Sequence, residues 1–176
     1  MKPDGSIEEF RSKVVIDASG ATAVVRRSLP SNWWVSEPVP HEDFNVTYRE
    51  IWYGDLDDID HDFAWIFLNV EITPGGYWWL FPKRKGVYNV GLGVQWKSNN
   101  PNPKTQFERY VKPRYERRIS EIVDRGGGIV PTRRPIPCMV WNGFVVVGDA
   151  AATANPVHGG GIGSAMLSAK LAAETI

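Results

Sequence analysis

Val145-Val146-Val147-Gly148-Asp149-Ala150-Ala151, followed by Asn155-Pro156-Val157-His158-Gly159-Gly160-Gly161-Ile162-Gly163, is the stretch on which the fold turns. The apolar run that opens at Phe144 reads as a buried strand, because β-branched residues in a short unbroken block suit a sheet covered on both faces. Beyond the glycines, Ile162, Ala165, Met166, Ala169, Ala172 and Ala173 recur at helical spacing on one face. The order is therefore strand, carboxylate, glycine loop, helix. Asp149 at the end of the strand can accept hydrogen bonds from hydroxyls, and glycines let backbone N–H groups approach a ligand closely. The helix dipole adds a preference for negative charge at the loop. An anionic, polyhydroxylated ligand fits this layout; the plain alternative is an ordinary strand–turn–helix corner, since glycine-rich corners are common.

Upstream, the chain passes through Pro131, Pro135 and Pro137 after Gly126-Gly127-Gly128. Phe107, Tyr110 and Val111 sit at helical spacing, and Pro113 is expected to start a second helix that carries Ile119, Ile122 and Val123. Four runs rich in β-branched and aromatic residues precede them, at Asn45 to Tyr53, Phe63 to Ile72, Gly76 to Phe81 and Val87 to Trp96. Short successive runs with turn-like breaks predict an antiparallel sheet, because parallel strands need a crossover helix between each pair. At the start, Lys2-Pro3-Asp4-Gly5 reads as a turn, and Ser6 to Ile16 as strand-like, ending in a buried Val14-Val15-Ile16. The expected division is 1–36 and 131–176 as parts of a Rossmann-like nucleotide-binding domain, with 37–130 as an antiparallel lobe, an α/β architecture of α+β lobes. No internal repeat is visible.

The bulk numbers narrow the function. Of 176 residues, 43% are hydrophobic, enough for one respectable core. Lys plus Arg and Asp plus Glu both total 20, and no basic tract carries interleaved aromatics, so a nucleic-acid partner is not expected. The single Cys138 reads as a small buried residue in a reducing, cytoplasmic setting, with no second thiol for a metal. His41 and His61 lack metal or triad partners in the sequence, and no metal site is expected. No apolar run reaches the ~20 residues needed to span a bilayer, so any lipid contact is expected at the periphery. Eight tryptophans, four of them clustered at Trp33-Trp34 and Trp78-Trp79, point to core packing and to an aromatic-walled pocket.

The stretch from Val145 to Ile162 resembles the late FAD motif of the p-hydroxybenzoate hydroxylase superfamily. The resemblance implies FAD as cofactor, with Asp149 on the ribityl chain and Gly148, Pro156, Gly159, Gly160, Gly161 and Ile162 around the flavin. Val15-Ile16-Asp17-Ala18-Ser19-Gly20 with Arg26 is similar to the superfamily's Asp-Gly motif and brings in Asp17 and Gly20. Ser19 stands where that motif usually has Asp, and Ala23 where it has Ser, which weakens any pyridine-nucleotide role.

Pro74-Gly75-Gly76-Tyr77-Trp78-Trp79-Leu80-Phe81-Pro82 is similar to the P-x-x-Y-x-W-x-F-P pattern of geranylgeranyl reductases, and Asn89-Val90-Gly91-Leu92-Gly93-Val94 continues it. In a strand, Tyr77, Trp79 and Phe81 share one face. The resemblance implies that this face meets a prenyl-lipid substrate near the flavin, with the Tyr77 hydroxyl and Trp79 N–H as polar handles. Spacing by itself equally allows an aromatic strand packed on the helices that follow, and both readings fit on opposite faces. Lys83-Arg84-Lys85 reads as a solvated turn or a lipid-phosphate contact, and His158 as a turn-shaping or flavin-tuning residue.

What the resemblance implies is an FAD-dependent reduction of isoprenoid C=C bonds, fed by an external donor such as reduced ferredoxin or NAD(P)H, in the cytoplasm or at the membrane periphery. The rivals are a flavin-dependent monooxygenase or halogenase of the same superfamily, and a non-catalytic lipid- or flavin-binding remnant. No G-x-G-x-x-G occurs in the chain, so a piece of a longer flavoprotein, lacking the ADP-binding unit, is the expectation.

Overall fold

The computed structural model describes residues 4–176. In chain order the regular elements are β1 (Val15–Asp17), β2 (Phe44–Gly54), β3 (Trp65–Phe67), β4 (Trp78–Arg84), β5 (Val87–Gln95), α1 (Pro103–Gln106), β6 (Ile119–Pro131), β7 (Val140–Trp141), β8 (Phe144–Val146) and α2 (Ile162–Thr175). They fall into two compact units, residues 4–38 with Arg134–Ile176, and Val39–Arg133. The architecture is mixed α and β.

The first unit holds a three-stranded sheet in the order β1-β8-β7. β1 runs parallel to β8, with Val15 opposite Phe144 and Asp17 opposite Val146, and β7 closes against β8 as a hairpin. Phe144 to Val147 are buried, as an apolar run in a sheet should be. Only Val15–Asp17 of the stretch from Ser6 onward is strand, and Val15 and Ile16 are exposed rather than buried. The buried residue is Asp17 instead. Its carboxylate accepts from the Ser19 N–H at 2.9 Å and the Arg26 N–H at 2.7 Å, which closes the loop after β1. Arg26 is buried too, and its guanidinium donates to the carbonyls of Ala150 at 3.0 Å, Val35 at 3.3 Å, and Glu37. Cys138 is half-buried, its thiol 3.2 Å from the Val140 carbonyl. The turn expected over Lys2-Pro3-Asp4-Gly5 lies partly outside the described residues; Asp4 and Gly5 do form a turn.

The second unit is a five-stranded antiparallel sheet in the order β3-β4-β5-β2-β6. One face is packed: Trp52, Trp78, Leu80, Tyr88, Val90, Leu92 and Val94 meet Phe107 and Val111 from the segment after α1. Asn102 caps α1, its side chain accepting from the Lys104 and Thr105 N–H groups at 2.9 and 3.3 Å, and Pro103 occupies the first turn. Phe67 stacks on Trp78 with ring centroids 3.6 Å apart. Of the run Phe63 to Ile72, only Trp65–Phe67 is strand, and the rest turns.

The second helix expected after Pro113 is absent. Short 3-10 turns at Lys112–Arg114 and Glu116–Arg118 lead directly into β6. Two bulges explain why the sequence misled: Trp52 pairs with Ile122 and Gly54 with Ile119, while Ser120 and Val123 are skipped in the register. An extra residue in a strand turns period-two alternation into the three-residue spacing that reads as a helix. Ile119 and Ile122 pack against the core, whereas Val123 is exposed. The glycines 126–128, expected as a connection, continue β6 alongside β2.

Candidate functional site

In the first unit the end of β8, the loop after β1, the glycine loop and the start of α2 border an open cleft of about 540 Å³. Gly20, Gly148, Asp149, Gly161 and Ile162 all line it, with Ala165, Met166 and Ala169 of α2 forming an apolar wall. A neighbouring hollow of about 750 Å³ is lined by Pro156, His158, Gly159, Gly160, Gly161 and Ile162 among others. Gly161 and Ile162 are shared by the two. Asp17 lines neither; both of its carboxylate oxygens accept from the backbone of its own loop.

Gly148 is held at φ +60°, and a Cβ there would lie 3.2 Å from the Ala165 Cβ. Glycine is needed both for the left-handed turn and for the approach of α2. The Gly148 N–H donates to the Ser168 Oγ at 3.0 Å, which fixes α2 against the strand end. Asp149 follows with one buried oxygen, Oδ1, that has no hydrogen-bond partner among the described residues. Burial pushes its carboxyl above the ordinary aspartate range. A buried carboxylate oxygen without a donor is costly unless something supplies one, and a ligand hydroxyl is such a donor.

The glycine loop is shaped by Asn155. Its Oδ1 accepts from the Val157 and His158 N–H groups at 2.8 and 3.4 Å, and its backbone bonds Gly159 and Gly160. His158 Nδ1 accepts from the Gly160 N–H at 3.1 Å, so the imidazole is built into the turn. No side chain caps α2 and no acidic residue stands in its first turn, leaving its first N–H groups for solvent or an anion. Neither Asn155 nor Ser168 stood out in the sequence as a site residue. The Asn155-Pro156 pair is a turn signal that identifies the first, while nothing local identifies the second.

In the second unit Tyr77, Trp79 and Phe81 lie along the open face of the sheet. Trp79 meets Phe81 in a near-parallel stack and Tyr77 edge-on, each at 5.9 Å between ring centroids. Trp78 and Leu80 point the other way into the core, 3% and 0% exposed, so the core-packing reading of this strand holds for that face. Burial raises the Tyr77 hydroxyl above the ordinary tyrosine range. The Trp79 N–H is taken by Asn89 Oδ1 at 3.0 Å, so it is no free handle for a ligand. Register places Gly91, Arg49 and Gly126 in line across the sheet from Trp79, with Arg49 paired to Asp124 at 2.5 Å. Lys83, Arg84 and Lys85 are exposed at the β4–β5 turn.

A family model described as the geranylgeranyl reductase catalytic domain matches residues 43–130, half of the chain. The chain belongs to the geranylgeranyl reductase family. The matched segment lies within the sheet unit and contains the Tyr77-Trp79-Phe81 face. A digeranylgeranylglycerophospholipid reductase of Sulfolobus acidocaldarius is 44% identical over 167 residues, covering 94% of this chain and 37% of that protein. This chain thus spans under half the length of the curated relatives it matches. Among solved structures, a geranylgeranyl bacteriochlorophyll reductase-like protein of Thermoplasma acidophilum superposes with a TM-score of 0.79 at 29% identity, over 93% of this chain and 40% of that one. A flavin-dependent brominase superposes at 0.68 and 20% identity, over 98% of this chain and 45% of that one, a likeness of fold alone. Among the described residues, no helix is long and apolar enough to cross a membrane, and no cluster of His, Cys, Asp or Glu could hold a metal ion.

Proposed function

We propose that this chain carries the prenyl-binding face and part of the flavin site of an FAD-dependent reductase that saturates isoprenoid C=C bonds of prenyl lipids. The observation that carries the reading is the open aromatic row of Tyr77, Trp79 and Phe81 within the segment that matches the family's catalytic domain. Stacked rings give a long hydrocarbon chain apolar area at little cost in rotamer freedom and keep water from it. The unpartnered Asp149 Oδ1 and the uncapped start of α2 fit FAD, since a ribityl hydroxyl and an anionic ring edge or phosphate are what those groups lack. Gly148, Asp149, Gly161, Ile162 and Gly20 hold the cofactor in this reading, with Pro156, Gly159 and Gly160 shaping the neighbouring hollow. When bound and reduced, FAD supplies hydride to the alkene. An external donor, reduced ferredoxin or NAD(P)H, recharges it, and the protein meets its lipid from the cytoplasmic side at the membrane periphery.

The test uses this chain by itself and a chimera in which it replaces the matching segment of the Sulfolobus acidocaldarius reductase. The chimera is expected to purify with flavin and, given dithionite and a geranylgeranyl phospholipid, to yield products heavier by two hydrogens per bond. Asp149→Ala is expected to release the flavin. A chimera that folds without flavin, or that hydroxylates or halogenates with oxygen while leaving every C=C bond intact, overturns the proposal.

A further inference from the structure

Trp79 is held from two sides by residues of the next strand. Its Nε1 donates to Asn89 Oδ1 at 3.0 Å, and a Cβ added at Gly91 would lie 2.5 Å from its Cζ2. Register explains both contacts: Gly91 is directly opposite Trp79 on β5, and Asn89 is opposite Phe81. The Nε1–Cζ2 edge of the indole is therefore turned over β5, down into the space that the missing Gly91 side chain leaves. Any side chain at Gly91 would also meet the Tyr48 carbonyl at 2.5 Å and the Arg49 Cβ at 2.7 Å.

We propose that Asn89, acting with the Gly91 gap, positions the Trp79 indole and so sets the register in which an isoprenoid chain lies along the aromatic row. The inference rests on the prenyl-binding reading of that face. Two physical points support it. The outer torsion of a tryptophan side chain is broad and lacks the deep wells of aliphatic torsions, so an indole on an open sheet needs a second anchor to keep one orientation. A half-buried indole N–H without an acceptor also demands a polar partner, which a hydrocarbon ligand cannot provide. Asn89 meets that demand from within the protein and leaves an apolar surface toward the ligand. Asn89 is thus a positioning residue: it acts on the substrate through Trp79.

The experiment labels the full chain with 5-fluorotryptophan, assigns the Trp79 resonance with Trp79→Phe, and titrates digeranylgeranylglyceryl phosphate in nonionic micelles. In the wild-type chain Trp79 is expected to give one resonance that shifts on lipid addition. In Asn89→Leu that resonance is expected to split or broaden in the free state while the other tryptophan lines hold, with about tenfold weaker lipid affinity. Asn89→Asp keeps the acceptor and is expected to restore both. An unchanged Trp79 line together with unchanged affinity in Asn89→Leu overturns the positioning role, as does a global change in every tryptophan line, which marks Asn89 as a folding residue. A wild-type Trp79 line indifferent to the lipid overturns the prenyl-binding reading itself, and the two failures are told apart by which protein stays silent.

Discussion

Glu50 is the perturbation that most directly tests how the sheet unit is built. It lies on the packed face, 1% exposed, and accepts from the Tyr48 hydroxyl at 3.0 Å, the Trp52 Nε1 at 2.8 Å and Arg125 at 3.2 Å, with Lys112 at 3.4 Å. Burial pushes its carboxyl up, but the hydrogen bonds from Trp52 and Tyr48 and the nearby cations outweigh burial, and the net shift is downward from the ordinary glutamate range. In Glu50→Ala the two cations recover water, since Lys112 and Arg125 side chains are 24% and 58% exposed. The Trp52 N–H does not, because that residue is fully buried. An orphaned buried donor costs ~1–3 kcal/mol, and the lost Tyr48 bond adds ~1 kcal/mol, so ~3 kcal/mol is expected in all. That corresponds to a fall in Tm of about 6–12 °C for a chain of this size. Near-UV circular dichroism of the buried tryptophans follows the transition. The sign with pH is fixed: a lowered folded-state pKa stabilises above the ordinary glutamate value and that stability is lost as pH falls through the lowered one. The gap between wild type and Glu50→Ala is therefore expected to be full at neutral pH and to narrow in acid. A loss below ~1 kcal/mol, or a gap that persists unchanged in acid, would refute the reasoning.

Asp149 has the opposite sign. Its carboxyl is pushed up by burial, so folding is favoured while it is protonated and loses that advantage as pH rises through the raised value; Asp149→Asn is expected to melt higher than wild type at neutral pH and equally in strong acid, by calorimetry without flavin. Gly148→Ala forces a left-handed alanine against Ala165 and is expected to cost ~2 kcal/mol or more, with faster hydrogen exchange at the start of α2. Phe107→Ala empties the centre of the packed face and is expected to cost ~3–5 kcal/mol in the same near-UV transition that reports Glu50.

Much of the architecture could be read from local pattern because its causes are local. Phe144 to Val147 is buried because it has no polar residue to expose, and Trp78 to Phe81 alternates because the sheet is covered on one face only. The failures share one cause. Ile119 and Ile122 carry a helical spacing that two bulges against β2 convert to strand, and the partner that imposes those bulges is more than sixty residues away. The Asp17 carboxylate accepts from the Ser19 and Arg26 N–H groups, contacts that only the closure of the loop reveals.

Residue types and their order thus determined which corner is the candidate for an anionic ligand, which strand bore the aromatic row, and to which family the chain is similar. Only the tertiary structure decided which groups remain available. It left Asp149 Oδ1 without a donor, gave the Trp79 N–H to Asn89, tied Gly148 to Ser168 and set Glu50 among four donors. The physical reason is that a hydrogen-bonding group is available or spent according to its neighbours in space, and those neighbours come from strands that lie far apart along the chain.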